Sequence, residues 1–218
     1  MTTITDNTII HGDCLHVLPR LPAASVNFVL TDPPYLANYR SRDGRQVPGD
    51  TTDAWLEPAF AEIHRVLEPN SFAVSFYGWP HADRFLKAYR SAGFSVVGHL
   101  MFPKRYSSAT KYLKYRHECA YLLAKGRPLQ PTDTLSDVIA WSYSGNKLHP
   151  TQKPLSVLTP LVKTFSAPGG LVLDPFAGSG STLIAAHQLG RRYLGIELDA
   201  EYYGIASQRL TPPTCQAS

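Results

Sequence analysis

Leu171-Val172-Leu173-Asp174-Pro175-Phe176-Ala177-Gly178-Ser179-Gly180 reads as a short buried strand, stopped by an acid and a proline and turned by two glycines toward a helix. The helix runs from Thr182 to Leu189, a strand from Tyr193 to Ile196 follows, and a last helix spans Ala200 to Leu210. Strands alternating with helices predict an α/β fold: a mostly parallel, twisted sheet covered by helices on both faces. Ligands of such sheets sit at the carboxyl ends of the strands, beside the switch point. Asp174 and Glu197 both end strands there.

The same alternation extends toward the N-terminus. Thr8-Ile9-Ile10 ends in Gly12-Asp13, and Asn27-Phe28-Val29-Leu30-Thr31 runs into Asp32-Pro33, so each short strand delivers an acid at its end. Trp55 to Leu67 is apolar at helical spacing and stops at Glu68-Pro69-Asn70, before a strand at Phe72–Phe76. A helix at Arg84–Ser91, capped by Gly93, precedes a strand at Phe94–Leu100. Cys119–Ala124 is a further strand, able to pair with the last one as an antiparallel hairpin at one sheet edge. Residues 126–150 read as irregular apart from Val138–Trp141. Pro154 opens a helix running to about Ser166, which Pro160 should kink.

At 218 residues and 44% hydrophobic, the chain has material for one substantial core, and 17% charged residues exclude a disordered tail protein. Cys14, Cys119 and Cys215 show neither disulfide nor zinc spacing, and the histidines show no ligand spacing, so no metal is expected. No leader and no apolar run near 18 residues is visible, so a soluble cytoplasmic protein is expected, with no membrane partner. The net charge of +4 is mild. Its distribution says more: Lys104, Arg105, Lys111, Lys114, Arg116, Lys125 and Arg127 face one acid, Glu118, among Tyr106, Tyr112, Tyr115 and Tyr121. That is a basic aromatic segment suited to phosphates, although a solvated face would look similar.

Two motifs carry chemistry. Around Phe176, Ala177, Gly178, Ser179, Gly180 and Thr182 the backbone can approach a ligand closely, and the Glu197 carboxylate can accept hydrogen bonds from ribose hydroxyls. Gly178-Ser179-Gly180 does not continue as a dinucleotide fingerprint. A nucleoside without phosphates, such as S-adenosyl-L-methionine, fits better than a dinucleotide. The second motif is Asp32-Pro33-Pro34-Tyr35, a rigid loop that offers acceptors because its prolines have no N–H. An exocyclic base amine is a poor nucleophile, its lone pair being conjugated with the ring. Accepting both amine hydrogens, by the Asp32 carboxylate and the Pro33 carbonyl, favours a pyramidal nitrogen, while Tyr35 can stack on the base. That atom is out of reach inside a duplex, so the base must be flipped out. Seen alone, Asp-Pro-Pro-Tyr is more often a turn closing a strand; the second motif overturns that reading.

Together, and in this order, the motifs resemble the DNA amino-methyltransferases of the N6-adenine/N4-cytosine family, β group, in which the catalytic loop precedes the cofactor motif. The resemblance spans Ile9 to Leu210. It implies a single Rossmann-like S-adenosylmethionine-dependent methyltransferase domain over residues 1–218, with a small DNA-recognition excursion at about 101–148 and a mobile loop at about 36–53. It also implies an adenine contact for Asp13, a base-pocket strand at His117–Tyr121, and cofactor contacts for His149, Thr151 and Lys153, the last two reaching the methionine carboxylate. Asp199 is expected either to assist Glu197 or to cap the last helix. Arg40, Arg42 and Arg45, with Lys104, Arg105, Lys111, Lys114 and Arg116, are the expected DNA-binding residues.

The resemblance further implies double-stranded DNA as partner, a bacterial or mobile-element origin, and adenine N6 as target, since cytosine-N4 members more often have Ser at the position of Asp32. The short recognition region points to a short site or a homodimer that shares the reading. Cytosine N4 is the alternative base. An inactive DNA-binding relative or an RNA methyltransferase ranks lower, because every motif position inspected is present and RNA- or protein-directed relatives tend to carry Asn before the prolines.

Overall fold

The computed structural model describes residues 6–37, 49–109, 112–142 and 152–211. Seven strands form one sheet: β1 (Thr8–His11), β2 (Val26–Thr31), β3 (Leu67–Phe76), β4 (Ser95–Ala109), β5 (Lys114–Lys125), β6 (Leu171–Asp174) and β7 (Arg192–Glu197). Their order is β1-β7-β6-β2-β3-β5-β4. The first five in that order are parallel, whereas β5 runs antiparallel to both β3 and β4. The expected parallel sheet with an antiparallel hairpin at one edge is therefore what forms.

Helices α1 (Cys14–Val17), α2 (Leu56–Val66) and α3 (Ala82–Ser91) share a core with one face, and α4 (Leu155–Phe165), α5 (Ser181–Gln188) and α6 (Ala200–Leu210) with the other. Strand alternation divides the side chains between them. Leu171 and Leu173 face the first group and Val172 the second, as period-two geometry requires. A register shift between Val26 and Phe28 puts Val26 and Val29 on one face, with Phe28 and Leu30 on the other. In α2 the buried residues Leu56, Ala59, Phe60, Ile63 and Val66 recur at helical spacing. Each large aromatic buried in these cores, Phe28, Phe60 and Phe85 among them, contributes about 1.5–3 kcal/mol by leaving water. Among the described residues no helix is long and apolar enough to cross a membrane.

Connections from β2 through α2 to β3 lead one way along the sheet, and those from β6 through α5 to β7 lead the other. The seam between β2 and β6 is thus the switch point, and Asp32 and Asp174 end its two strands.

Three strands are much longer than the sequence suggests: β3, which begins at Leu67 rather than Phe72, and the two of the hairpin. β4 and β5 stay paired through Pro103↔His117 and, after a register shift, at Ser108↔Tyr115. Pro103 lowers the strand signal in sequence, yet an edge strand tolerates it. The outer side of β4 is partly covered, because Met101 N donates to Asp137 O (2.7 Å) and Ile139 N to Met101 O (2.9 Å), with Ile139 and Trp141 buried. Most of the basic segment is therefore hairpin rather than loop.

After β3 the chain passes Gly78, where an added Cβ would lie 2.5 Å from the Tyr35 carbonyl oxygen and 2.7 Å from Tyr35 Cβ. Backbone on that side cannot swing away as a side-chain tip would. Gly78→Ala is expected to destabilise the protein by about 1–3 kcal/mol through overpacking, read as a lowered melting temperature in thermal denaturation. An unchanged melting temperature would contradict the close approach.

Candidate active site

A cleft of about 280 Å³ opens at the carboxyl edge of the parallel strands. It is lined from one side by Asp13, Asp174, Phe176–Ser179, Thr182 and Glu197, and from the other by Asp32–Tyr35 and Lys153. Register explains the convergence: Asp174 pairs with Gly195, His11 pairs with Glu197, and β2 lies beside β6.

On the first side, Glu197 is buried and its carboxylate is fixed by two amides: Gly178 N donates to Oε2 (2.6 Å) and Asp199 N to Oε1 (2.8 Å). The turn that supplies Gly178 ends at Gly180, whose φ of 79° would strain any residue with a Cβ. Arg209 fastens the turn from α6, donating to the Ser179 carbonyl and, at 3.3 Å, to Ser181 Oγ. Asp13 caps α1, its Oδ1 accepting from Leu15 N at 2.8 Å, and still faces the cleft. Asp199 takes the second of its two expected roles: its Oδ1 accepts from Glu201 N and Tyr202 N at the start of α6. It does not line the cleft, and neither does Gly180.

On the second side the charges are concentrated. Tyr35 Oη donates to Asp32 Oδ1 (2.8 Å), and Lys153 Nζ donates to Asp32 Oδ2 (2.5 Å). Lys153 also pairs with Glu118 Oε2 at 3.2 Å, while Lys104 binds Glu118 Oε1. Lys153 is only 5% exposed and lies against the rings of Tyr35 and Phe76. Expected at the methionine carboxylate, it lines the cleft and is paired there with Asp32. Lys104, expected on DNA, turns inward over Trp141 (4.8 Å) and Tyr106 (5.5 Å) because strand pairing sets Phe102 opposite Glu118 and brings Lys104 beside it. Arg105, Lys114 and Arg116 are exposed on the hairpin. Arg40, Arg42, Arg45, Lys111, His149 and Thr151 lie outside the described residues.

Burial pushes the Asp32 carboxyl up, and the neighbouring Glu118 adds to this against the pull of Lys153. Glu118 is held down: burial would raise it, but Lys153 and Lys104 outweigh that. For Lys153 burial lowers basicity, and the two carboxylates more than restore it. Tyr35 is raised well above the ordinary phenol range by burial and both carboxylates, so it stays a donor.

Several cleft residues escaped the sequence reading. Trp55 packs edge-on against Phe176 at 5.1 Å and donates from Nε1 to Gly49 O (2.9 Å). Asp50 accepts from Ala37 N at 3.1 Å. These contacts tie down the described ends of the segment expected to be mobile, where Leu36 and Asp50 are buried. Glu118 does not line the cleft; it lies in the strand His117–Tyr121 that the resemblance implied for the base pocket, and it is the one acid in a basic stretch.

The sheet order, the acid-ended strands and the cleft at their switch point define a Rossmann-like fold of the S-adenosylmethionine-dependent methyltransferases. Residues 26–208 match the N6/N4 family described as DNA methylase, and the chain belongs to that family. It is 56% identical over 201 residues to YubD of Escherichia coli (strain K12), named as a methylase, with 92% of this chain and 88% of YubD covered. YhdJ of the same organism, named a DNA adenine methyltransferase, is 31% identical over 93% of this chain and 82% of its own length. Among solved structures, a DNA modification methylase of Thermus thermophilus, TTHA0409, complexed with S-adenosyl-L-methionine, superposes with a TM-score of 0.72 at 27% identity, covering 93% of this chain and 92% of its own. The cytosine-N4-specific PvuII DNA methyltransferase superposes at 0.79 with 18% identity, over 97% and 89% of the two chains, a likeness of fold. The resemblance read from the two motifs is borne out at the level of the family.

The buried Asp174 provides a test. Burial pushes its carboxyl up to about 7, with the Thr182 hydroxyl and Phe176 amide pulling partly back. Between the ordinary 3.8 and about 7 the folded protein holds a proton here that the unfolded chain has released. Its contribution to stability is whole below the lower value and is lost as pH rises through the higher one. Asp174→Asn is therefore expected to gain stability relative to the unaltered protein as pH rises from about 4 to about 7 in denaturant unfolding. A difference that does not change with pH would contradict the assignment.

Proposed function

We propose that the cleft holds S-adenosyl-L-methionine and that the protein methylates N6 of an adenine turned out of double-stranded DNA. One observation carries this reading: Asp32–Tyr35 and the Gly178–Glu197 pair line a single cleft. The site suits the cofactor chemically. Glu197 is a buried acceptor for ribose hydroxyls, Phe176 to Ser179 bring backbone close, and Asp13 stands where an adenine amine can be met. When bound, the cofactor supplies an electrophilic methyl group on a sulfonium sulfur.

The chain's own residues prepare the acceptor. Asp32 and the Pro33 carbonyl accept the two amine hydrogens and free the nitrogen lone pair. The Asp32 carboxylate also stabilises the positive charge that grows on nitrogen, an effect strengthened in a cleft that excludes water. The Tyr35 ring lies beside the base. Arg105, Lys114 and Arg116 on the exposed hairpin meet phosphates, and the 101–148 region reads the sequence, with Arg40, Arg42, Arg45 and Lys111 as further DNA-binding residues. A region this short supports a short recognition site or a homodimer. Adenine is favoured over cytosine by the Asp at position 32 and by the name of YhdJ.

Incubation of the purified protein with unmethylated duplex DNA and cofactor, followed by digestion to nucleosides, is expected to yield N6-methyladenine. N4-methylcytosine would replace the base assignment, and methylation of RNA alone or of nothing would overturn the reading. Asp32→Ala is expected to lower kcat by roughly 10³-fold or more while cofactor Kd stays within about threefold. Unchanged methylation by that variant would remove Asp32 from the mechanism.

A further inference from the structure

We infer that Glu118 is a positioning residue for methyl transfer, the acceptor that takes over the donors occupying Asp32 when the substrate amine docks; this rests on the reading of the cleft just proposed. Both oxygens of Asp32 are engaged in the structure, Oδ1 by the Tyr35 hydroxyl and Oδ2 by the Lys153 ammonium. A docking amine brings N–H donors to the same carboxylate. It also brings a nitrogen that gains positive charge during transfer, which an ammonium held on Oδ2 would oppose. Lys153 must therefore step aside, yet a cation with 5% exposure cannot be left without an anion.

The second acceptor is already in place, and it is one atom. Glu118 Oε2 lies 3.2 Å from Lys153 Nζ and 3.4 Å from Tyr35 Oη. Either donor can shift onto it without losing a partner. The other oxygen of Glu118 is anchored by Lys104, itself held against Trp141 and Tyr106, so the carboxylate stays aimed at the catalytic loop. Strand geometry puts it there: Phe76 pairs with Ala120, and because β5 runs antiparallel, Glu118 stands just beyond the end of β3, on the edge where Asp32 ends β2. The ionisable groups facing Asp32 are Lys153, Glu118, Tyr35 and, across the β2–β6 seam, Asp174. Glu118 thus never touches the base and acts through Lys153 and Tyr35.

Glu118→Gln keeps the shape and removes the charge, leaving Asp32 as the anion nearest Lys153. Relative to the unaltered enzyme, kcat on duplex DNA is expected to fall on the order of tenfold or more while cofactor Kd is unchanged. The acid limb of the kcat profile should move to lower pH, because Lys153 then pairs more fully with Asp32. Lys104→Met releases Glu118 toward Lys153 and should move the same limb to higher pH; it also provides the test if Glu118→Gln does not fold. Glu118→Asp, which restores the charge, should recover part of the loss. An unaltered kcat in Glu118→Gln, or a loss that only follows the folded fraction with both limbs fixed, overturns the inference while the methyltransferase reading stands. Absence of DNA methylation by the unaltered protein overturns that reading and the role of Glu118 with it.

Discussion

The contact between Lys153 and Asp32 is the interaction on which the Asp32–Tyr35 side of the cleft depends. Buried charge is tolerated only when paired, and stripping one partner from a buried pair costs about 3–5 kcal/mol. Here the requirement extends over four groups. Lys153 sits between Asp32 and Glu118, and Glu118 between Lys153 and Lys104, so two anions and two cations close on themselves. The groups come from the end of β2, from the segment leading into α4, and from both arms of the β4–β5 hairpin. These ion pairs tie the hairpin, the Asp32–Tyr35 loop and the entry to α4 to one another.

The sheet does the rest. Parallel strands present their carboxyl ends on one edge, and four of them deliver an acid there: Asp13 beyond β1, Asp32 after β2, Asp174 in β6 and Glu197 in β7. Local partners then separate the acids by task. Glu197 is held by the backbone amides of Gly178 and Asp199. Asp174 is buried and favours its proton. Asp32 is paired with the buried Lys153. The arrangement brings four acids with different partners to one cleft.

Much of this was legible in sequence, for a physical reason. The β6 turn and the Asp32–Tyr35 loop are local features, set by glycine, proline and the apolar run before each, and the helices follow from apolar spacing. What escaped depends on distant pairing. The length of β4 was hidden by Pro103 and by its lysine and arginine content, and only its pairing with β5 reveals it. Lys104 was expected on DNA and Lys153 on the cofactor because nothing nearby in sequence neutralises them; their carboxylates arrive from other strands. Asp199 was ambiguous for the opposite reason, since capping and ligand binding ask for the same residue type at a helix start.

The most direct test of the account is the structure of a ternary complex with S-adenosyl-L-homocysteine and a duplex that the protein methylates. The account predicts the target base out of the helix, its amine nitrogen within roughly 2.7–3.2 Å of both an Asp32 oxygen and the Pro33 carbonyl, and Lys153 shifted toward Glu118. A base amine bound elsewhere in the cleft, with Lys153 still on Asp32, would contradict it.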